Sequence, residues 1–573
     1  MFAYVVTDET GSSEVKRLDG SPVRRLTSRK HLDSVWDDSQ KGRQAKTMHN
    51  AKFDLQATEV YLGKRLEGHD IHCTHKMAHI LQNHHHDLSL DNLAWELAEY
   101  PRQDAAMKRL AKVYGGGKLR YDKVPERDMT QYQIADGERG MLLFLFFWPK
   151  ILANPKWLEC YNVERELIWT TMRMEERGLM IRPKETGKLV VELEDKVDAL
   201  QERLFDMVGW RFNPLSDDQL RRVLFKKLRL PVGKMTKKSN KPSTDKNVLH
   251  DLKETTNHPV IDLILQIRAY TRGAGTVGKY LDLADDGWII HPTINTCRAI
   301  TGRESSEHPN LQNVEKEGVL LNPYPVAARR CFRPRVGYVN IHVDYSGIEM
   351  RLLIFYSRDK KMIACLNTGD GDVHALAAAV FFQGRFTEAE KDARKVLRGA
   401  TKNANFAIPY GAQPAKVAAT LGMTLREGTA AFRRYGREFP DIVALNRRIS
   451  QQVEAEGFVT TIFGRRLHVP RNKAYMGTNY LIQGTGAQIL KRAQNRVHRY
   501  NEEYTGGEVR LLLPIHDEIV IEYPRSRLKD LPGYLKDIRD LMVDFPEFDI
   551  PLDVEAGMST LCWAEKRELT IPD

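Results

Sequence analysis

Residues 510–523 restrict the possible folds more than any other part of the chain. Their two halves, RLLLPI and IVIEY, read as apolar strands, with His516, Asp517 and Glu518 at the reversal between them. A second segment, YVNIHV at residues 338–343, reads as a buried strand that delivers Asp344, and then Glu349 within DYSGIEMR, at its end. Two aspartates raised on neighbouring strands are what two-metal chemistry requires, because paired Mg²⁺ ions about 4 Å apart need bridging carboxylates. An aspartate at a strand end or hairpin is by itself more often a turn former, so neither segment decides the matter alone.

Residues 398–411, RGATKNANFAIPYG, add a third element. Arg398, Lys402, Phe406 and Tyr410 recur every four residues, along one slowly drifting face of a helix. Two cations followed by two rings suit a triphosphate at one end and a base and sugar at the other, although an ordinary amphipathic helix with a basic flank has the same pattern. Pro409 predicts that the helix kinks or ends just before Tyr410.

At 573 residues the chain exceeds one hydrophobic core, so about two to four domains are expected. Residues 1–155 begin with strand-like segments (2–6 and 14–18, around DETG) and finish in helical patterns, which suggests an α/β unit. Residues 160–290 turn helical, and a basic stretch at 221–241 interrupts them like a loop at their tip. That stretch holds nine basic residues and no acidic one, within a chain whose 87 Lys and Arg exceed 76 Asp and Glu by 11. It suits a polyanion backbone or a solvated face. After residue 290 strands mix with long helices, which gives an α/β and α+β multidomain chain. The longest apolar run, residues 141–148, is too short to span a bilayer. Six scattered cysteines without a Cys-x-x-Cys pair argue against a disulfide framework or a zinc cage, and so for the cytoplasm.

Together the three chemical segments resemble the A, B and C motifs of family A DNA polymerases, in that order. TGRESSEHPNLQN from Thr301, GDVHALAAAVF from Gly371, TIFGRRLHVP from Thr461 and NYLIQGTGAQILKRA from Asn479 match the same pattern. The likeness spans residues 160–573, and Gly347, where bacterial polymerase I reads DYSQIE, is closest to the phage branch. The resemblance implies a right-hand polymerase: a thumb-like helical region at 160–300, a palm at 301–370 and 475–573, and fingers at 371–474. It implies that Asp344 and Asp517 bind two Mg²⁺ ions, with Glu518 assisting and the Tyr345 backbone contributing an oxygen. Arg398, Lys402 and His374 would grip the triphosphate, with Lys402 acting on the leaving pyrophosphate. Phe406 and Tyr410 would frame the sugar and base, and Glu349 would exclude a ribose 2′-hydroxyl. Arg303, Asn310, Gln312, Asn313, Gln483 and His516 match positions that touch primer and template, and Lys234, Lys237, Lys238 and Lys241 of the basic stretch would meet DNA phosphates. The implied partners are primer–template DNA and deoxynucleoside triphosphates, for a monomer without a membrane and without a processivity-factor insertion in 183–290. A single-subunit RNA polymerase and an inactive DNA-binding relative are the alternatives.

HNAKFDL, SLDNLAWELAEY and Tyr132-x-x-x-Asp136 resemble later motifs of the ribonuclease H-like 3′–5′ exonuclease domain attached to this family. The opening Asp-x-Glu motif is missing, since Asp8 and Glu9 stand too close to Asp54 and the chain starts too late for it. Asp54, Tyr132 and Asp136 are therefore expected to be a remnant without exonuclease activity. His84, His85 and His86 are read as solvated neighbours.

Overall fold

The computed structural model describes residues 4–7, 13–16, 36–37, 45–83, 87–236, 239–314, 324–368 and 371–572. Asp8, Glu9, His84 to His86, Lys237 and Lys238 lie outside the described residues.

Near the N-terminus β1 (Tyr4–Thr7) pairs antiparallel with β2 (Ser13–Lys16), and β3 (Lys46–Met48) runs parallel to β4 (Ile71–Cys73) across the helix Ala51–Leu62. Helices Thr74–Leu81, Leu90–Ala98, Asp104–Tyr114 and Glu126–Leu152 follow. Strands and helices do mix here, with helices in the majority among the described residues. The helix Pro155–Arg177 starts at Pro155, whose fixed φ suits a first turn, and Asn154 caps it by accepting from the Lys156 and Trp157 amides. It buries Ile168 and Met172 against Ala51, Leu55 and Leu66, while Tyr161 and Met174 join the main core, so it ties the two parts together.

β5 (Leu179–Met180) and β6 (Ile289–Ile290) close the base of a helical excursion. Within it Leu189, Leu193, Val197, Leu200, Leu204 and Val208 line one face of the helix Pro183–Val208 at steps of three and four. That face packs against Pro259–Leu283 in a core partly its own, with Leu220, Leu224 and Leu249. The basic stretch departs from expectation here. Arg221 ends the helix Asp217–Arg221, Arg222–Lys227 continues as a π-helical turn, and irregular chain begins only at Leu228. Val223 and Leu224 are buried, and this apolar anchor between the cations is what keeps the segment helical.

β7 (Thr293–Asn295) and β8 (Ser305–Glu307) form a small hairpin. β9 (Tyr338–Tyr345) is the centre of the main sheet, and Val339 to Val343 are all buried. After it come helices Ile348–Ser357, Lys360–Asn367, Val373–Phe382, Gly384–Thr387, Lys391–Ala407, Pro414–Leu421, Leu425–Glu438 and Pro440–Glu456. β10 (Phe458–Thr460) and β11 (Arg466–His468) pair, the helix Gly477–Thr505 follows, and then β12 (Arg510–Ile515), β13 (Glu518–Pro524), the helix Leu531–Val543, β14 (Val554–Ser559) and β15 (Arg567–Leu569). The main sheet is ordered β12-β13-β9-β14-β15 and is antiparallel throughout. The three strands expected at 338–343 and within 510–523 are all present, with β13 between β12 and β9. None of the six cysteines is in a disulfide, and no described helix is long and apolar enough to cross a membrane.

Candidate active site

The register of the sheet brings the acids together. Asp344 pairs with Glu518 on one side and Glu555 on the other, so the β12–β13 turn lies beside the end of β9. The Tyr345 amide donates to the Asp517 carbonyl at 3.3 Å, which fixes the two backbones to each other. Burial pushes the Asp344 carboxyl up to about 7, with the charges of Glu518 and Asp517 adding to the effect. Burial raises Asp517 as well, opposed by Arg303, whose guanidinium reaches its Oδ1 at 3.9 Å. Two carboxylates thus share a partly dry place with little positive charge to balance them, although among the described residues no group of three or more His, Cys, Asp or Glu side chains is gathered as a metal site.

Glu518 is differently placed. Its Oε1 lies 2.6 Å from His342 Nδ1 and its Oε2 accepts from Lys566 at 3.1 Å, while His342 Nε2 lies 3.1 Å from Ser559 Oγ. Burial opposes its ionisation, yet the His342 bond and the Lys566 ammonium outweigh it and bring the carboxyl down to about 2. Both of its oxygens therefore have partners inside the protein. The Tyr345 hydroxyl donates to Met542 O at 2.6 Å, anchoring the helix Leu531–Val543, so only the main chain of Tyr345 could face a cation.

A cleft of about 410 Å³ opens just past the end of β9, lined by Ser346, Gly347, His374, Arg398, Lys402, Asp553 and Glu555, while Asp517 lines a separate small pocket with Arg303 and His516. Arg398 and Lys402 sit on the exposed face of Lys391–Ala407 as the spacing predicts. Sequence reasoning missed Asp372, which organises the far wall. Its Oδ1 accepts from the His374 and Ala375 amides, capping Val373–Phe382, and its Oδ2 accepts from Arg398 Nε at 2.5 Å. An Asp just before an apolar helical run was the available signal. Burial, with Lys402 and Arg398 nearby, lowers His374 to about 4, so its ring is neutral. Asn405 Nδ2 donates to His374 Nδ1 at 3.3 Å, which leaves the proton on Nε2, and Phe406 stands edge-on at 5.5 Å.

The helix ends at Ala407, as Pro409 requires, and Tyr410 lies in the turn beyond it rather than on the helical stripe. Its hydroxyl donates to Glu349 Oε2 at 2.6 Å, and Glu349 Oε1 pairs with Arg303. Arg303, Glu349 and Tyr410 therefore form one network that ends at Asp517, which no spacing rule could reveal. Asn310 and Asn313 line a cleft of about 480 Å³ facing Pro259–Leu283. Gln483 is half-buried, His516 is exposed at the turn, and Gln312 is directed into the hairpin. Lys234 is exposed, and Lys241 reaches Asp218 at 3.3 Å.

The profile of DNA polymerase family A matches residues 183–565 of this chain. The chain belongs to DNA polymerase family A. It is 32% identical over 491 residues to the thermostable DNA polymerase I of Thermus thermophilus, covering 82% of this chain and 56% of that protein. It is 30% identical over 462 residues to DNA polymerase I of Pseudomonas aeruginosa, covering 78% of this chain and 49% of that one. The chain spans about half the length of these curated relatives. Among solved structures, the Pol1 polymerase domain from M. smegmatis, in a complex with DNA primer-template and dNTP, superposes with a TM-score of 0.79 at 26% identity. The match covers 98% of this chain and 92% of that one, and the fold is accordingly the right-hand polymerase fold.

In this family A chain the N-terminal acids also come together. Burial, then the charge of Asp136, raises Asp54 to about 6, and burial raises Asp136 to about 6 against the pull of Arg139. Arg139 is wholly buried, donates to Asp136 Oδ1 at 2.7 Å, and lies 3.4 Å from Asp91. The Tyr132 hydroxyl donates to Asp104 at 2.8 Å. In this pair Asp136 already has a bonded counter-charge, Arg139, in the packing.

Proposed function

We propose that this chain is a DNA-directed DNA polymerase that extends a primer 3′ end with deoxynucleotides. The single observation that carries the reading is the meeting of Asp344 with the Asp517 turn at the end of β9, two residues before a cleft walled by Arg398 and Lys402. Two Mg²⁺ ions held by Asp344, Asp517 and the Tyr345 main chain would activate the 3′-hydroxyl and offset charge growing on the phosphate. Arg398, Lys402 and the neutral His374, donating from Nε2, bind the triphosphate oxygens, and the 3′-oxygen attacks the α-phosphorus in line with the departing pyrophosphate. Lys402 gives the leaving oxygen its proton or its counter-charge. Phe406 and Tyr410 frame sugar and base. Glu349, held from two sides by Arg303 and Tyr410, stands where a ribose 2′-hydroxyl would come, and this speaks against an RNA polymerase. Arg303, Asn310, Asn313, Gln483, His516 and the lysines of the basic stretch contact primer–template DNA.

We assign residues 160–300 to a thumb, 301–370 and 475–573 to a palm, and 371–474 to fingers, with 1–155 an exonuclease-like domain. That domain should not hydrolyse DNA, because Arg139 occupies Asp136 and Asp104 occupies the Tyr132 hydroxyl. Gly347 in DYSGIE favours phage DNA replication as the setting, and six cysteines without a disulfide suit a reducing cytoplasm. The test is primer extension with deoxynucleotides or ribonucleotides, with and without Mg²⁺. Metal-dependent extension with deoxynucleotides alone is expected. Extension with ribonucleotides would favour the RNA polymerase, and DNA binding without extension the inactive relative.

A further inference from the structure

The β12–β13 turn contains only His516 and Asp517, and His516 adopts φ +55°, a left-handed conformation disfavoured for a residue with a Cβ. Something must hold it. Gln312 does so with both ends of one amide: Nε2 donates to the Pro514 carbonyl at 2.7 Å, and Oε1 accepts from the His516 amide at 2.8 Å. These two contacts bracket Ile515 and end one residue short of Asp517. Gln312 is itself only 9% exposed, and its loop is fixed in turn. Ser306 Oγ, on β8, accepts from the Leu311 amide at 2.8 Å and the Gln312 amide at 3.2 Å, and Asn310 Oδ1 lies 3.1 Å from the same Gln312 nitrogen. Leu311 is fully buried below them. A continuous set of bonds therefore runs from the β7–β8 hairpin to the main chain beside Asp517. An amide so buried and bonded at both ends has little left to offer a DNA groove.

We infer that Gln312 is a positioning residue, which holds the hairpin turn and so aims the Asp517 carboxylate; the catalytic part of this inference rests on the polymerase reading above. Displacing a catalytic group by about 1 Å costs on the order of 100-fold in rate. Gln312→Leu keeps the size and loses both bonds, whereas Gln312→Glu keeps an acceptor for the His516 amide and loses the donor to Pro514. At saturating primer–template and nucleotide, the single-turnover rate should fall about 10- to 100-fold in Gln312→Leu and less in Gln312→Glu, while the primer–template Kd changes less than about twofold. Hydrogen exchange at the His516 amide should speed up in Gln312→Leu and stay near the parent in Gln312→Glu. A Kd that rises about tenfold with an unchanged saturating rate would instead make Gln312 a DNA contact and overturn the inference. Unchanged His516 exchange in Gln312→Leu would overturn it too. If Gln312→Leu loses protection across the whole sheet it has unfolded, and the smaller rate loss in Gln312→Glu, with unchanged Kd, carries the test. If the parent protects His516 but extends no primer, the polymerase reading falls, and the exchange difference still decides whether Gln312 holds the turn.

Discussion

Asp344 with Asp517 in the main sheet and Asp54 with Asp136 near the N-terminus are both half-buried carboxylate pairs whose pKa values burial has raised. They differ in what surrounds them. Asp136 is bonded to Arg139, which is wholly buried and also near Asp91, so its compensation is part of the packing. Asp517 has Arg303 at 3.9 Å, which is shared with Glu349, and a weaker pull from His516. A cleft with Arg398 and Lys402 begins two residues beyond Asp344, at Ser346. A raised pKa alone therefore does not mark a working site; the two pairs differ in whether a bonded counter-charge is built into the packing.

The largest expected effect separates the two pairs directly. Asp344→Ala or Asp517→Ala should lower single-turnover extension at least about 10³-fold, with primer–template Kd within about twofold, since DNA binding draws on many phosphate contacts elsewhere. A variant that keeps a near-parent rate would break the comparison. Next in size, Glu349→Ala removes the acid that shares Arg303 and should narrow discrimination against ribonucleotides by about 10- to 100-fold, read as the ratio of kcat/KM values. Unchanged discrimination would mean that Glu349 only braces Tyr410.

A smaller effect concerns stability. The Asp54 carboxyl rises from 3.8 to about 6 in the folded chain, so its ionisation opposes folding. That penalty is absent below about pH 4, grows between about pH 4 and 6, and is complete above. Asp54→Asn should therefore match the parent in urea unfolding at pH 4 and exceed it by about 1–2 kcal/mol at pH 8, a figure reduced for residual solvent contact. Equal stability at both pH values would show that Asp54 is relieved by a partner.

Much of the sheet site was legible because it is local. A continuous apolar run predicts β9, two apolar runs around His516 and Asp517 predict the β12–β13 hairpin, and Pro409 predicts the helix end at Ala407. What stayed hidden depends on contacts between distant segments. Arg303, Glu349 and Tyr410 meet only after folding, as do His342, Glu518 and Lys566. Gln312 matched a DNA-contact motif by sequence, yet the amide partners that redirect it lie some two hundred positions away, at Pro514 and His516. The π-helical Arg222–Lys227 was masked by its charge, which outweighs Val223 and Leu224 in any local reading.

The most direct test of the contrast uses one sample: incubate a 3′-mismatched primer–template with Mg²⁺ and no nucleotides, then supply a matched primer–template with deoxynucleotides. The primer should stay at full length in the first step and the matched primer should extend in the second, for the parent and for an Asp54→Ala, Asp136→Ala double variant alike. Metal-dependent shortening in the parent that the double variant loses would contradict the account, because it would show that the N-terminal pair, despite Arg139, still works as a site.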